Sequence, residues 1–351
     1  VMSGTWVDKA KWLGEKLGGK SRWTPRGYED DTLVQSELEA PTCSAPAHEC
    51  VRSIALHKRW RKFVIDVEAA FFNSDRFSEG LTPVFIWAPP EEQNGRTGDK
   101  RLCRQLLVAV PGCKNAPRSW WTTFTTRMTA GGFAISIYDN ALLHLVKKGE
   151  HMASVGVHVD DGKGYCADEV ANELELLFTK SFPCKFRWIT EQEPTVEFAG
   201  IRETSIFENG HIVAEELDQC SYTDTMQEID LPPSRLKERD SELESYEMTM
   251  YRSCLGALQW IKRTRPDLAA AISDAAQRTA NTTIEDVARI NKTVRHAKLR
   301  NEVKIRKHAL PKLGKDPKFL ILMLTDAGDE PNSKHYSGYW NGGGIIGLGL
   351  A

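Results

Sequence analysis

The stretch whose reading decides the fold is Val157-His158-Val159-Asp160-Asp161-Gly162-Lys163-Gly164. It sets two adjacent carboxylates after an apolar β-branched run and before a glycine pair. Like charges side by side repel and resist desolvation, so a positive partner is expected close by. The other Asp-Asp pair, Asp30-Asp31, lies in the polar segment Gly27-Tyr28-Glu29-Asp30-Asp31-Thr32, where solvation alone accounts for it. Upstream, Ser154 to Val159 alternates, with Val155, Val157 and Val159 on one face and Gly156, His158 and Asp160 on the other. That pattern predicts a strand. Gly162-Lys163-Gly164 is expected to turn the chain and Tyr165-Cys166-Ala167 to return it as a hairpin.

A second acidic strand is Phe63-Val64-Ile65-Asp66-Val67, which passes into the helix-compatible Glu68-Ala69-Ala70-Phe71-Phe72. If neighbouring strands bring Asp66 to Asp160 and Asp161, three carboxylates converge on one sheet edge. Hard oxygen ligands of this kind suit Mg²⁺ or Mn²⁺, which would also relieve their repulsion. Two ions about 3.5–4 Å apart activate an attacking hydroxyl and stabilise a leaving oxygen. A single aspartate is far more often a turn or cap residue, and spacing alone leaves both readings of the pair open.

Composition bounds the rest. A chain of 351 residues with 41% hydrophobic and 27% charged residues is that of a globular protein with two or three cores. No run approaches the roughly 18 apolar residues of a membrane span, and the N-terminus lacks the apolar core of a signal peptide. The eight cysteines are scattered without a Cys-x-x-Cys pair, so reduced thiols are expected rather than zinc or a disulfide framework. The formal charge of −2 gives no global sign of nucleic acid, yet residues 289 to 315 hold ten Lys/Arg and one acid, Glu302.

Residues 246 to 300 read as helical: Tyr251, Cys254, Leu255 and Leu258 recur on one face. Pro266 suits the first turn of a second helix, and Thr282-x-x-Glu285 is a candidate capping box for a third. Polar or Pro-rich segments at 92–100, 228–247 and 311–317 read as linkers. A further strand is expected from Phe319 to Leu324, running into Thr325-Asp326-Ala327-Gly328.

Between the acids lies Cys103-Arg104-Gln105-Leu106-Leu107-Val108-Ala109-Val110-Pro111-Gly112-Cys113-Lys114-Asn115-Ala116-Pro117-Arg118-Ser119-Trp120-Trp121. This resembles the "CRL…LYGLKQAPRxWY" segment of copia-type retrotransposon reverse transcriptases. Other blocks follow in that family's order. Ile65-Asp66-Val67-Glu68-Ala69-Ala70-Phe71-Phe72-Asn73 resembles "LDVKTAFLNG", and Val157-His158-Val159-Asp160-Asp161 resembles "LYVDD". Phe198-Ala199-Gly200-Ile201 is similar to the "FLGI" primer grip, and Lys20 to Tyr28 to the "KARLVxKGF" fingers strand. Tyr251 to Gly256 with Thr264-Arg265-Pro266-Asp267 resembles "YRSxxGSL…TRPD". Thr325-Asp326-Ala327-Gly328 and Ser337-Gly338-Tyr339 resemble the opening of a ribonuclease H domain.

The resemblance implies an α+β right-hand polymerase of fingers, palm and thumb with an antiparallel palm sheet, followed by the start of a ribonuclease H-like segment. The expected division is 1–55 fingers, 56–205 palm with an inserted fingers segment, 206–315 helical thumb, and 316–351 ribonuclease H-like. It implies an RNA-directed DNA polymerase using dNTPs, a primed RNA or DNA template and two Mg²⁺ or Mn²⁺ ions. Asp66, Val67, Asp160 and Asp161 would form the metal site, with Asp66, Asp160 and Asp161 catalytic. Lys20 and Arg22 would clamp the triphosphate, Phe71 would exclude a ribose 2′-hydroxyl, and Gly112 would allow close approach of nucleotide or template. Phe198 and Gly200 would grip the primer. Asp326 would be the one ribonuclease H acid present, so no ribonuclease H activity is expected.

The resemblance further implies a segment of a longer Gag-Pol polyprotein, working in a cytoplasmic virus-like particle and the nucleus, with no membrane partner. The basic run from Arg289 to Lys307 reads as a helix that either tracks phosphates or is simply solvated. Trp120 and Trp121 read as core or as base-stacking rings. His158, Pro111, Glu68 and Ala199 depart from the family pattern. They keep open a second reading, a decayed retroelement fragment that at most binds nucleic acid. An RNA-dependent RNA polymerase is disfavoured by Phe71.

Overall fold

The computed structural model describes residues 1–13, 16–30, 38–77, 83–309, 319–328 and 341–350. It divides into two units, Val1–Trp188 and Ile189–Ala351, each mixing helix and sheet.

In the first unit the elements run β1 (Gly4–Leu13), β2 (Lys16–Pro25), α1 (Ala45–Lys58), β3 (Arg61–Val67), β4 (Val84–Trp87), β5 (Cys103–Leu106), α2 (Ala116–Ala130), β6 (Phe133–Ile135), β7 (Leu142–Lys147), β8 (Glu150–His158), β9 (Asp161–Cys166), α3 (Ala171–Ser181) and β10 (Cys184–Trp188). β1–β2 and β4–β5 are separate hairpins; the other strands form one antiparallel sheet in the order β10-β3-β9-β8-β7-β6. One face carries Phe63, Ile65 and Val67 of β3 and Val155 and Val157 of β8. It packs on Trp120, Phe124 and Met128 of α2 and Leu174 and Phe178 of α3. Stacking of Phe63 on Phe186 and of Phe124 on Phe182 fills that core.

The other face is half covered. Val51 and Ala55 of α1 bury Trp60, Leu142 and Tyr165 there, and Lys62, Lys163 and Ser154 are buried beneath them. Gly156 makes this approach possible, since a Cβ on it would stand 2.4 Å from His48 Cε1 and 2.7 Å from Cys43 Sγ. α1 starts at the Ser44 cap, whose hydroxyl accepts from Ala47 N, with proline in the first turn. The far end of the same face stays open.

The structure corrects the hairpin register. The turn is Val159-Asp160, and Gly162-Lys163-Gly164 lies inside β9. Packing explains why these glycines belong in a strand. A Cβ on Gly162 would come within 2.6 Å of Ile65 Cγ1, and one on Gly164 within 2.4 Å of Phe63 Cζ. They are strand glycines that let β3 side chains cross β9. Residues after Val67 form a 3-10 turn, Ala70–Asn73, instead of an α-helix, entered through Ala69 at φ 52°.

The second unit holds β11 (Thr195–Phe198), β12 (Ile201–Glu208), β13 (His211–Asp218), α4 (Cys220–Thr225), α5 (Ser245–Ile261), α6 (Ala269–Gln277), α7 (Ile284–Leu299), β14 (Ile305–His308), β15 (Phe319–Gly328) and β16 (Asn341–Leu350). Strands β11 to β14 form one antiparallel sheet, and β15 pairs with β16. Tyr251, Leu255 and Leu258 of α5 pack with Ile272 of α6 and Val287, Ile290 and Val294 of α7. The capping box of α7 is Thr283 with Asp286, one residue beyond the expected Thr282 and Glu285. Thr282 is buried, and its hydroxyl donates to the Arg278 carbonyl. The basic run is likewise no single helix: α7 ends at Leu299, and Ile305–His308 is a strand paired with β13.

Candidate active site

Asp66 of β3 and Asp161 of β9 are direct cross-strand partners, so their side chains leave the same face of the sheet. His158 is the partner of Asp161 on β8, and Lys185 the partner of Asp66 on β10. One row across four strands therefore reads Lys185, Asp66, Asp161, His158, at the open end of the half-covered face. Asp66, Asp160, Asp161 and His158 are all exposed. The Lys185 ammonium lies 3.7 Å from Glu68, on the residue where the family pattern has lysine.

Asp160 enters from the turn. Val159 has φ 58° and Asp160 has no positive φ, the pattern of a II′ hairpin turn, whose first central position favours glycine. A β-branched residue held there costs about 1–3 kcal/mol. Two bonds hold it. Trp120 Nε1 donates to the Val159 carbonyl at 2.6 Å, and Val67 N donates to the Asp160 carbonyl at 3.0 Å. Val67, expected in the metal site, thus also ties the turn to β3.

Desolvation raises the Asp161 pKa above its ordinary value, and the charges of Asp160 and Asp66 raise it further; His158 acts the other way. Asp161 thus feels the charge of both other carboxylates. Among the described residues no three His, Cys, Asp or Glu side chains are drawn together as a ready-made metal cage. Mg²⁺ seldom uses such cages: it takes one or two carboxylates, retains waters and shares substrate phosphates. An open row of mutually repelling, hard-oxygen donors fits that habit.

The other predicted residues fall in distinct places. Lys20 and Arg22 lie exposed on β2, opposite Lys9 and Val7 of β1, and these four with Ala10 line a shallow cleft. Lys9 went unnoticed in the sequence, although its alternation with Val7 was the available signal. Phe71 is partly buried between the sheet core and a cluster containing Met2, Ala109 and Cys113. Gly112 has φ 102°, and a Cβ there would meet the Pro25 carbonyl at 2.4 Å; its own carbonyl accepts from Gly27 N. Its freedom is used against the chain's own β2 end. Arg118 stacks on Trp121, and Trp120 is buried.

In the second unit Phe198 is buried, and Ala199-Gly200 forms a turn with φ 47° and 70°. Trp260 packs under Gly200, where a Cβ would stand 2.8 Å from its ring. Much of the basic run is engaged internally: Lys298 donates to the Met226 carbonyl, Arg295 pairs with Glu228, and Lys304 and Arg306 with Glu216. Arg289, Lys292 and His296 line a cleft between α6 and α7. Asp326 sits in β15 opposite Gly343. The predicted 311–317 linker lies outside the described residues, as do Ser337-Gly338-Tyr339 of the ribonuclease H-like block.

No family model matches the chain. It is 27% identical over 268 residues to the retrovirus-related Pol polyprotein from transposon RE2 of Arabidopsis thaliana, covering 74% of this chain and 17% of that protein. To the corresponding polyprotein from transposon RE1 it is 24% identical over 286 residues, covering 79% of this chain and 19% of the relative. The chain thus spans less than a fifth of the length of these curated relatives, and its similarity to retrotransposon Pol polyproteins is distant. No helix among the described residues is long and apolar enough to cross a membrane.

Proposed function

We propose that this chain is the polymerase portion of a copia-type Pol polyprotein, an RNA-directed DNA polymerase with a right-hand fold. The observation that carries the reading is the direct pairing of Asp66 with Asp161 on adjacent strands, with Asp160 in the turn beside them. Relatedness to retrotransposon Pol polyproteins supports it independently.

In this reading Asp66, Asp160 and the Val67 backbone hold two Mg²⁺ or Mn²⁺ ions, with Asp161 supporting them. When bound, the ions neutralise phosphate charge and lower the pKa of the primer 3′-hydroxyl. The chain's own part is positioning. Lys9, Lys20 and Arg22 present donors to a dNTP triphosphate, and Phe71 lies near the sugar to select against a 2′-hydroxyl. The turn at Phe198-Ala199-Gly200 steadies the primer strand, and Arg289, Lys292 and His296 offer phosphate contacts to the duplex. Template, primer and dNTPs are the partners, and the particle and nucleus are the sites of action.

The test is Mg²⁺-dependent primer extension on an RNA template with dNTPs, with Asp160→Asn alongside. Extension by the parent that falls at least a thousandfold in the variant supports the assignment. Folded protein that binds primer–template yet extends nothing would sink it and leave a nucleic-acid-binding relic.

A further inference from the structure

Trp120 is 1% exposed, and its ring is packed edge-on against Phe182 at 5.1 Å and tilted on Phe124 at 5.8 Å. The core accounts for the ring but not for its polar atom. That atom, Nε1, points out of the core to the Val159 carbonyl. Val159 is the residue held at positive φ, and the next two residues are Asp160 and Asp161. A Val159 peptide released to a relaxed conformation would swing both carboxylates, because a two-residue turn fixes the direction of the strand it starts. Apart from the β8–β9 ladder that closes the hairpin at His158 and Asp161, the described backbone ties this turn through Val67 N to the Asp160 carbonyl.

We infer that the Trp120 indole N–H is a clamp that holds the strained Val159-Asp160 turn, making Trp120 a positioning residue for the carboxylates of the proposed metal site. The inference rests on the polymerase reading for its consequence, but the clamp itself is a property of the turn. Trp120 acts from α2 on the core side of the sheet, so it touches neither nucleotide nor primer. Removing the N–H leaves the turn with one tie outside its own ladder, and the turn then samples conformers that displace Asp160 and Asp161 from their places beside Asp66.

The experiment follows two readouts on the full chain: exchange of the Val67 amide by NMR or mass spectrometry, and Mn²⁺ affinity by electron paramagnetic resonance. Trp120→Phe removes the donor; β-(3-benzothienyl)alanine at 120 removes it while keeping the ring's shape, should the phenylalanine variant fold poorly. Phe124→Leu perturbs the same core without touching the turn. Loss of the N–H is expected to speed Val67 exchange roughly three- to tenfold and to weaken Mn²⁺ binding by a similar factor. Phe124→Leu lowers the melting temperature and changes neither. Val159→Gly, which removes the strain, shrinks the effect of Trp120→Phe to under about twofold.

Unchanged Val67 exchange in both Trp120 variants overturns the clamp. Faster exchange with unaltered Mn²⁺ affinity overturns its role in the metal site. Wild type that binds Mn²⁺ no better than Asp160→Asn counts against the polymerase reading instead, and Val67 exchange alone then decides the clamp.

Discussion

Lys9 and Lys20 face one another directly across the β1–β2 ladder, two ammonium groups on one side of a hairpin with Arg22 two pairs further along. Like charges in that position destabilise a hairpin by about 0.2–1 kcal/mol, so the arrangement makes sense once an anion lies between them. Lys9→Gln should leave the free protein as stable or slightly more stable. On the proposed polymerase reading it should also raise the dNTP KM roughly ten- to hundredfold, since one charge-assisted contact to phosphate contributes about 1.5–3 kcal/mol. Calorimetry and steady-state extension would check the two together. A loss of stability without a change in KM would show that the pair is structural.

Asp161 supplies a pH test. Its folded-state pKa is raised by desolvation and by Asp160 and Asp66, so the folded protein holds that proton more tightly than the unfolded chain does. The sign follows: its penalty is absent below the ordinary carboxylate value and grows as pH rises through the raised one. At neutral pH without divalent cations, Asp161→Asn should melt on the order of 1–3 °C higher than the parent, the shift being small because the group is exposed. Added Mn²⁺ should stabilise the parent more than the variant. A lower melting temperature for Asp161→Asn in chelator would refute this account.

The β9 glycines carry a steric prediction. Gly164→Ala sets a methyl group against the Phe63 ring and 2.5 Å from the Ser154 carbonyl, a backbone atom that cannot turn aside. Destabilisation of about 2–3 kcal/mol is expected, the range of an overpacked core. Gly162→Ala meets only side-chain atoms, Ile65 Cγ1 at 2.6 Å and Val155 Cγ2 at 3.6 Å, and should cost about 1 kcal/mol. Equal effects in urea titrations would contradict the difference between a yielding neighbour and a rigid one.

Histidines 144 and 151 share one buried hydroxyl: Ser154 Oγ lies 2.8 Å from His144 Nδ1 and 2.7 Å from His151 Nε2. Burial depresses both pKa values, and His144 and Lys58 help bring His151 down to about 4. A base depressed in the folded state resists a proton that the unfolded chain accepts. Stability is therefore expected to fall as pH drops from about 6.5 toward about 4. His151→Gln should flatten that part of the profile, which melting curves at matched ionic strength would reveal.

Much of this was legible before the structure. The strands around Asp66 and Asp160, the helices after residue 246 and the approach of the Asp66 strand to the Asp160-Asp161 hairpin all follow from residue pattern and motif order. The hairpin register did not. Glycines 162 and 164 carry the sequence signature of a turn, and only the ring of Phe63 and the branch of Ile65, about a hundred residues earlier, show that they are strand positions. Conversely, Val159 carries the signature of a strand and sits in the turn, held there by a tryptophan from another helix. Lys62, Ser154 and Lys163 belong to strands buried on both faces, so period-two alternation hides what covers them. Local pattern states a residue's preference, and long-range contact decides whether it is honoured.

The strand order of the first unit also has a consequence for synthesis. β3 is flanked by β9 and β10, and neither exists when β3 leaves the ribosome. Asp161 follows Asp66 by 95 residues (161 − 66), or roughly 5–20 s of translation at usual elongation rates. For that interval β3 offers two unpaired edges to any extended segment nearby. Its Lys62, buried under α1 only once the unit has folded, and its exposed Asp66 are the charges that would discourage a wrong partner from zipping on first.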